Sequence, residues 1–152
     1  MSDKVKSALF NVLGDISGLR VLDAFAGTGA LSIESASRGA REVVAVERDG
    51  TVFQNLQDNI SALNADTITC VRANVISWAK NSPNETFDVI ICDPPYDKLQ
   101  EKTIAYLTRH LKKTGVFVVS WPSAEDPPKI PGIKLEKQHT YGAAQLWFYT
   151  NR

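Results

Sequence analysis

The stretch "LRVLDAFAGTGALSIESASRG", residues 19–39, decides the fold class of this chain. Its apolar residues up to Phe25 predict a buried strand, and the residues from Ala30 onward have the spacing of a helix. Gly27 and Gly29 lie between them, where glycine allows a positive φ and lets a ligand approach the backbone closely. The stretch therefore predicts a strand, a tight turn and a helix, with a binding site at the turn.

The same alternation of strand and helix continues along the 152 residues. It favours an α/β fold with a doubly wound, Rossmann-like sheet of seven strands that is mostly parallel. The last two strands have no helix between them and predict an antiparallel hairpin at one edge. The length fits a single domain over residues 1–152. The predicted strands cover 19–25, 43–46, 67–71, 87–92, 116–121, 133–139 and 145–150, and the predicted helices follow Ser2 and cover 30–38, 51–63, 75–80 and 98–113.

Composition narrows the class of protein further. Hydrophobic residues make up 43% and charged residues 22%, and the seventeen basic residues balance the seventeen acidic ones. Net charge therefore gives no argument for a nucleic-acid partner. Without a run of about 20 apolar residues or a signal peptide, we expect a cytoplasmic protein with no membrane partner. Cys70 and Cys92 are expected to be free thiols, and no metal is expected because His110 and His139 lack ligand spacing.

Three unusual strand ends are expected to meet at one edge of the sheet, because ligands of such folds bind beyond the carboxyl ends of the strands. They are the glycine turn, Glu47 and residues 93–96. Glu47 lies 20 residues beyond Gly27, the spacing of an acid that accepts hydrogen bonds from ribose hydroxyls. Asp23 in the turn would repel a pyrophosphate, and Ser32 replaces the third glycine of the dinucleotide fingerprint. A cationic or zwitterionic ligand is therefore favoured over a nicotinamide dinucleotide.

The stretch "DPPY", residues 93–96, ends the fourth predicted strand and suits the recognition of an amino group. The Asp93 carboxylate and a carbonyl group fixed by proline can both accept hydrogen bonds from one exocyclic amine of a nucleobase. That amine is a weak nucleophile because its lone pair is delocalised into the ring, so two acceptors would orient it for reaction. Tyr96 offers a flat face on which the base can stack. The pattern predicts chemistry on a nucleobase amine, of either guanine or adenine.

These motifs resemble those of the class I S-adenosylmethionine-dependent methyltransferases that carry Asp/Asn-Pro-Pro-Tyr/Phe. A closer resemblance is to the bacterial 16S ribosomal RNA guanine-N(2) methyltransferases of the RsmD type. It is carried by "SDKVKSALFNVL", "VLDAFAGTGALSIESASRGA", "FDVIICDPPYDK" and "YGAAQLWFY". The resemblance implies a seven-stranded mixed sheet and methyl transfer to a guanine amino group of the small-subunit RNA. It also implies S-adenosylmethionine as the cofactor and S-adenosylhomocysteine as the product.

The resemblance assigns residues to both parts of the site. Asp93, Pro94, Pro95 and Tyr96 would be catalytic, with Asp93 and the Pro94 carbonyl holding the amine and Tyr96 packing against the base. The stretch from Ser2 to Val5 would reach back to the cofactor. The residues implied to bind the cofactor are Asp23, Phe25, Ala26, Gly27, Gly29, Glu47, Arg48, Asn74 and Asp93.

The implied partner is ribosomal RNA or the small-subunit particle, and we expect the protein to be a monomer. Relatives carry an upstream β-hairpin extension that helps to bind RNA, and this sequence is expected to begin after it, with low RNA affinity as the result. Lys98 is placed to meet a phosphate, whereas basic residues such as Arg38 and Arg109 are expected at helix ends from the helix dipole alone. Two alternatives stay open: an adenine-N(6) methyltransferase acting on DNA or RNA, and a module that binds S-adenosylmethionine without catalysis.

Overall fold

A computed structural model describes residues 1–151 of the chain. The helices are α1 (Asp3–Leu13), α2 (Ala30–Ser37), α3 (Gly50–Ala62), α4 (Val75–Lys80) and α5 (Glu101–Leu107). The strands are β1 (Arg20–Asp23), β2 (Glu42–Glu47), β3 (Ile68–Arg72), β4 (Phe87–Cys92), β5 (Leu111–Pro122), β6 (Ile133–Tyr141) and β7 (Ala144–Asn151). Strands and helices alternate from β1 to β5, as the sequence predicts.

The seven strands form one sheet in the order β3-β2-β1-β4-β5-β7-β6. The first five strands of this order run parallel, and β7 is antiparallel to both β5 and β6. This confirms the predicted doubly wound sheet with its antiparallel edge. The strand order reverses at β1, which lies between β2 and β4, and that reversal opens a crevice at the carboxyl ends of these strands.

The core consists of two apolar layers, one on each face of the sheet. Neighbouring residues in a strand point to opposite faces, so Leu22 packs in one layer and Val21 in the other. Phe117 and Val118 divide in the same way, and each of these four side chains is fully buried. Strands buried on both faces need continuous apolar runs rather than alternation. This is why the central strands could be predicted from such runs.

Several helices begin at residues whose side chains accept hydrogen bonds from the first turn. The Ser2 hydroxyl accepts from the Val5 amide of α1 at 3.2 Å, and the Asp49 carboxylate accepts from the first turn of α3. The Asn74 side-chain oxygen accepts from the Ile76 amide of α4 at 3.0 Å. Such caps stabilise a helix by about 1 kcal/mol. Asp49 and Asn74 follow β2 and β3, so they fix helix starts at the carboxyl edge of the sheet.

The first strand, expected over 19–25, spans only Arg20–Asp23, because the chain turns after Asp23. The largest error in a boundary comes later: the helix expected over 98–113 runs only from Glu101 to Leu107, and β5 begins at Leu111 instead of at 116. Leu111 pairs with Phe87 of β4, and the register between the two strands shifts before Val89. Leu111 is an apolar residue with only 7% exposure, so joining the sheet keeps it out of water. Tertiary burial has overridden the helical spacing here.

Cysteine state and membrane character also follow from the fold. Cys70 is half-buried, Cys92 is buried, and both thiols are free. Among the described residues, none of the helices combines the length and the apolar character that a membrane crossing requires.

Candidate active site

A cavity of about 1190 Å³ opens at the carboxyl ends of the five parallel strands, β1 to β5. It lies at the strand-order reversal, where the three unusual strand ends were expected to meet. The predicted site residues that line it are Phe25, Ala26, Gly27, Glu47, Arg48, Asn74, Asp93, Pro94, Pro95 and Tyr96. Asp23 and Gly29 are the two predicted residues that do not line it. The structure therefore brings residues from four separate loops to one cavity.

The glycine turn wraps around the end of β1 with two positive φ angles, 58° at Gly27 and 99° at Gly29. A Cβ added at Gly27 would project into open space, whereas one added at Gly29 would lie 2.7 Å from the Cδ1 atom of Leu56. Gly27 thus leaves room in the cavity itself, and Gly29 allows α2 to start against α3. Both glycines are required for the shape of the turn.

Glu47 is held by backbone amides on both sides of its carboxylate. The Gly27 amide donates to Oε1 at 2.9 Å, and the Asp49 amide donates to Oε2 at 2.9 Å. A carboxylate has about four acceptor positions, so two remain for a ligand. Because its position is fixed before any ligand arrives, Glu47 can accept hydrogen bonds from a pair of hydroxyl groups at little entropic cost.

Asp23 lies beneath the turn, fully buried at the end of β1. The Ser32 hydroxyl of α2 donates to its Oδ2 atom at 2.7 Å, while its Oδ1 atom has no hydrogen-bond partner among the described residues. Burial raises the pKa of Asp23 to about 7, and the nearby charges of Asp93 and Glu47 act in the same direction. Ser32 stands where the dinucleotide fingerprint has its third glycine, and its hydroxyl group explains that replacement.

Residues 93–96 leave β4 and form one wall of the cavity. Asp93 is half-buried, Pro94 is buried and Tyr96 is 39% exposed. The Tyr96 and Ser120 hydroxyl oxygens lie 2.8 Å apart and share a hydrogen bond. Burial raises the pKa of Asp93, and the positive charge of the amino terminus opposes that rise. The wall therefore combines a carboxylate, a backbone carbonyl from a proline and an aromatic ring.

Several residues of the cavity could not be found from the sequence. Ser120 lies 24 residues beyond Tyr96 and carries no motif. Tyr141 ends β6, Ala143 lies in the turn before β7, and nothing in the sequence indicated that they line the site. Only the register of β5 against β4 and β7 brings Ser120 to the site. The α1 stretch expected to reach the site does line the cavity, through Ser2 and Val5.

The two histidines, which the sequence does not predict to bind a metal, have other contacts. The Nδ1 atom of His110 lies 2.7 Å from the Glu85 carbonyl oxygen, and the His139 ring stacks on Tyr141. Within residues 1–151 no group of three or more histidine, cysteine, aspartate or glutamate side chains is placed to hold a metal ion. His110 and His139 are therefore explained by their structural contacts.

The fold and the cavity can now be compared with known proteins. Residues 1–150 match the model of one protein family, described as conserved hypothetical protein 95. The chain belongs to this family. Ribosomal RNA small subunit methyltransferase D of Haemophilus influenzae is 32% identical over 98% of this chain and 81% of its own length. The protein of the same name from Buchnera aphidicola is 37% identical over 78% of this chain and 64% of its own length.

The solved structures include a close match in shape. The structure of yhhF from Escherichia coli superposes with a TM-score of 0.91 at 29% identity and covers 99% of this chain and 88% of that one. Family and structure together confirm the resemblance found in the sequence, to methyltransferases that use S-adenosylmethionine. The Buchnera match spans less than two thirds of that relative, so the roles of individual residues and the substrate are matters for proposal.

Proposed function

We propose that this protein transfers a methyl group from S-adenosylmethionine to the exocyclic amino group of a guanine in 16S ribosomal RNA. The observation that carries the proposal is the shared cavity: the Glu47 carboxylate and the Asp93–Tyr96 wall open into the same space. One region suits a ribose and the other suits a nucleobase amine. The relatives named ribosomal RNA small subunit methyltransferase D support the choice of substrate.

The residues of the cavity fit S-adenosylmethionine. The two acceptor positions left on Glu47 suit the ribose hydroxyls, and the open space beside Gly27 admits the ligand close to the backbone. Asn74 lines the cavity at the start of α4 and would contact the adenine of the cofactor, while its side-chain oxygen accepts from Ile76. Asp23 does not line the cavity, but in its ionised form the carboxylate below the turn would favour the positive charge that the cofactor carries on its methionine part. Bound there, the cofactor supplies an electrophilic methyl group on a sulfonium.

The Asp93–Tyr96 wall would hold and orient the amine that receives the methyl group. The Asp93 carboxylate and the Pro94 carbonyl would each accept a hydrogen bond from the amine. These two hydrogen bonds would turn the nitrogen lone pair toward the methyl carbon. With the cofactor bound, the amine nitrogen would bond to the methyl carbon as the carbon–sulfur bond breaks and leaves its electron pair on sulfur, and the proton that the nitrogen loses would pass to the Asp93 carboxylate or to water. The positive charge that grows on nitrogen is stabilised by the carboxylate. Tyr96 supplies the face on which the base stacks.

The basic residues fall into two groups: those that pack within the domain and those that are candidates for binding RNA. Arg38 pairs with Glu34 and lies over the Phe10 ring at 5.0 Å, and Arg109 lies over the Tyr106 ring at 4.3 Å. Both therefore have packing partners within the domain. Lys98 lines the cavity mouth and is exposed, which suits contact with a phosphate next to the target base.

We also propose that the protein acts as a monomer, because one copy of the chain is enough to bring Glu47 and the Asp93–Tyr96 wall to the same cavity. The proposed substrate also implies a cytoplasmic location, since ribosomal RNA is made and assembled in the bacterial cytoplasm.

Glu47→Ala is expected to weaken the binding of S-adenosylmethionine roughly 10–100-fold, because hydrogen bonds to a charged acceptor are lost. Calorimetric titration of the free protein measures this affinity. Glu125→Ala is the matched control, since Glu125 is exposed and outside the cavity. Glu47→Gln keeps one acceptor oxygen and should fall between the two. An unchanged affinity in Glu47→Ala would remove Glu47 from the cofactor site.

The modified nucleoside tests the proposed substrate. The protein is incubated with labelled S-adenosylmethionine and either naked 16S RNA or small-subunit particles from cells that lack the modification, and the RNA is digested. We expect N(2)-methylguanosine by mass spectrometry from at least one of the two substrates. N(6)-methyladenosine alone would overturn the choice of guanine. Binding of the cofactor with no transfer to any RNA would point to a non-catalytic module.

A further inference from the structure

We infer that the rings of His139 and Tyr141 form a stacking platform for a nucleotide that flanks the target base, so that the RNA binds as a single strand along the carboxyl edge of the sheet. The inference rests on the proposed function and deepens it, because it states how the RNA beside the target base is recognised. It starts from the part of the cavity that neither the cofactor nor the target base would fill.

The cavity extends further across the sheet than these two ligands require. Glu47 ends β2 and the Asp93–Tyr96 wall follows β4, whereas Tyr141, Ala143 and Ala144 line the cavity from the hairpin of β6 and β7. In the strand order β4-β5-β7-β6, the ends of β4 and β6 are three strand spacings apart, roughly 14 Å. A base held at the Asp93–Tyr96 wall does not reach that far. The next nucleotides of the same RNA strand do.

The platform consists of two half-buried rings on a buried support. His139 and Tyr141 lie two residues apart on β6, so their side chains point to the same face of the sheet. Their ring centroids are 6.3 Å apart and the ring planes are inclined by 29°. The His139 ring meets the buried Phe148 ring of β7 edge-on, with the centroids 6.2 Å apart. The rings are therefore held in place before a base arrives, which lowers the entropic cost of stacking.

The charge beside the platform suits a phosphate backbone. Lys137 is exposed and lies on the same face of β6 as His139, because it pairs with Phe148 while His139 pairs with Leu146. No carboxylate within residues 1–151 forms an ion pair with Lys137. The row Lys137, His139 and Tyr141 therefore runs from a cation through two rings into the cavity. Positive charge for the backbone together with rings that accept any base is the pattern of single-strand recognition.

A peptide strand is the other class of partner that this part of the sheet could bind, because β6 is the edge strand. Two observations favour RNA. Lys134 and Lys137 are both exposed on β6, and lysines on an edge oppose pairing with another strand. The aromatic pair is also continuous with the proposed methyl-transfer cavity through Tyr141, and a peptide strand along β6 would not make use of that continuity.

The first test follows the aromatic rings by proton NMR and needs no methyl transfer. A short, guanine-containing single-stranded RNA is added to the protein with S-adenosylhomocysteine present. A stacked base shifts nearby ring protons, so we expect His139 and Tyr141 to shift with the same saturation curve as Tyr96. His110 is the internal control and should not move, because it is 2% exposed and lies at the opposite edge of the sheet, before β5.

The outcomes of this titration separate the platform from the proposed function. If Tyr96 shifts while His139 and Tyr141 do not, the platform is wrong and the proposed function stands. If none of the three rings shifts, the platform is wrong and the nucleoside analysis alone decides the function. Shifts of all three with an RNA that is never methylated would support the platform and count against the function. Shifts of His139 caused by small-subunit proteins, and by no RNA, would overturn the inference in favour of a protein partner.

The second test measures the kinetics of methyl transfer to small-subunit RNA. In Tyr141→Ala we expect the KM for RNA to rise roughly tenfold, the effect of losing one stacked base, while kcat at saturating RNA changes much less. Tyr141→Phe keeps the ring and should keep the wild-type KM. Leu135→Ala is the control, because Leu135 is exposed on the other face of β6. The unfolding temperature and the cofactor affinity show whether Tyr141→Ala is intact, and an unchanged KM in the intact variant would contradict the platform.

Lys137→Ala tests the contact with phosphate through the salt dependence of RNA binding. The affinity for the single-stranded RNA is measured by the same titration at several salt concentrations. Losing one contact should reduce the slope of log affinity against log salt by about 0.7. Lys113→Ala is the matched control, because Lys113 is exposed near the start of β5, at the opposite edge of the sheet. Equal slopes for Lys137→Ala and wild type would show that the RNA does not pass along β6.

Discussion

Asp93→Ala is expected to reduce kcat for methyl transfer to small-subunit RNA by roughly 10²–10³-fold, the cost of losing one preorganised group that stabilises charge in the transition state. The carboxylate accepts from the amine and offsets the positive charge that grows on its nitrogen. The Pro94 carbonyl remains in the variant, so some residual transfer is expected. Cofactor affinity should fall much less than kcat even if Asp93 also contacts the cofactor, because Glu47 and the glycine turn do not depend on Asp93 for their hydrogen bonds.

The measurement is the initial rate of transfer at saturating cofactor and RNA. Asp66→Ala is the control, because Asp66 is exposed and lies outside the cavity. The unfolding temperature and the cofactor affinity of each variant show whether the fold and the cofactor site are intact. A folded Asp93→Ala protein that keeps the wild-type rate would show that the amine is held elsewhere.

Asp23 is expected to make the protein less stable as the pH rises from about 4 to 7. Its pKa is about 7 in the folded protein and 3.8 when unperturbed. In that window the folded state keeps a proton that the unfolded chain has lost, so unfolding releases a proton and higher pH favours it. The contribution of Asp23 to the free energy of unfolding is fully present below pH 3.8 and is lost as the pH rises through 7. The slope is about 1.4 kcal/mol per pH unit.

The test compares wild type with Asp23→Asn by urea unfolding at several pH values between 5 and 8. Carboxyl groups distant from Asp23 affect both proteins alike, so the difference between their free energies of unfolding reports Asp23 together with its coupling to Asp93 and Glu47. We expect wild type to gain stability relative to Asp23→Asn as the pH falls from 7 to 5, and the difference to stay level above pH 7. A difference that does not vary with pH would mean that Asp23 titrates normally in the folded protein.

Much of the fold could be predicted from local patterns, because the parallel strands are buried on both faces and therefore appear as apolar runs. The strand around Ile90 and the helix that follows Asp49 have such signals. The start of β5 at Leu111 has no such local signal. Its helical spacing is genuine, but the residue gains more by pairing with Phe87 than by continuing the helix. Pairing across the sheet is a property of the whole fold, so the sequence near Leu111 could not indicate it.

Some residues of the candidate site could likewise be predicted from the sequence, and others could not. Gly27, Glu47 and Asp93 follow strands that meet at the strand-order reversal, so position in the sequence was enough to place them on one edge. Ser120 and Tyr141 reach the cavity through strand register and through a hairpin turn. Ser120 has no neighbour in the sequence that signals its role, and the stretch that begins at Tyr141 indicated the family but no role in the site. The burial of Asp23 was also beyond prediction, because it depends on how α2 packs against β1.

Strand β7 has a consequence for how the chain is made. It follows all the other strands in the sequence, yet it lies inside the sheet, between β5 and β6. While β7 is still unsynthesised, β5 has one unpaired edge and β6 has no partner in the sheet, so Phe117 and Val119 lack part of their cover. Exposed edges of this kind pair readily with other chains. A ribosome that stalls before residue 144 would therefore release an aggregation-prone fragment, and quality control would have to recognise it before it met another copy.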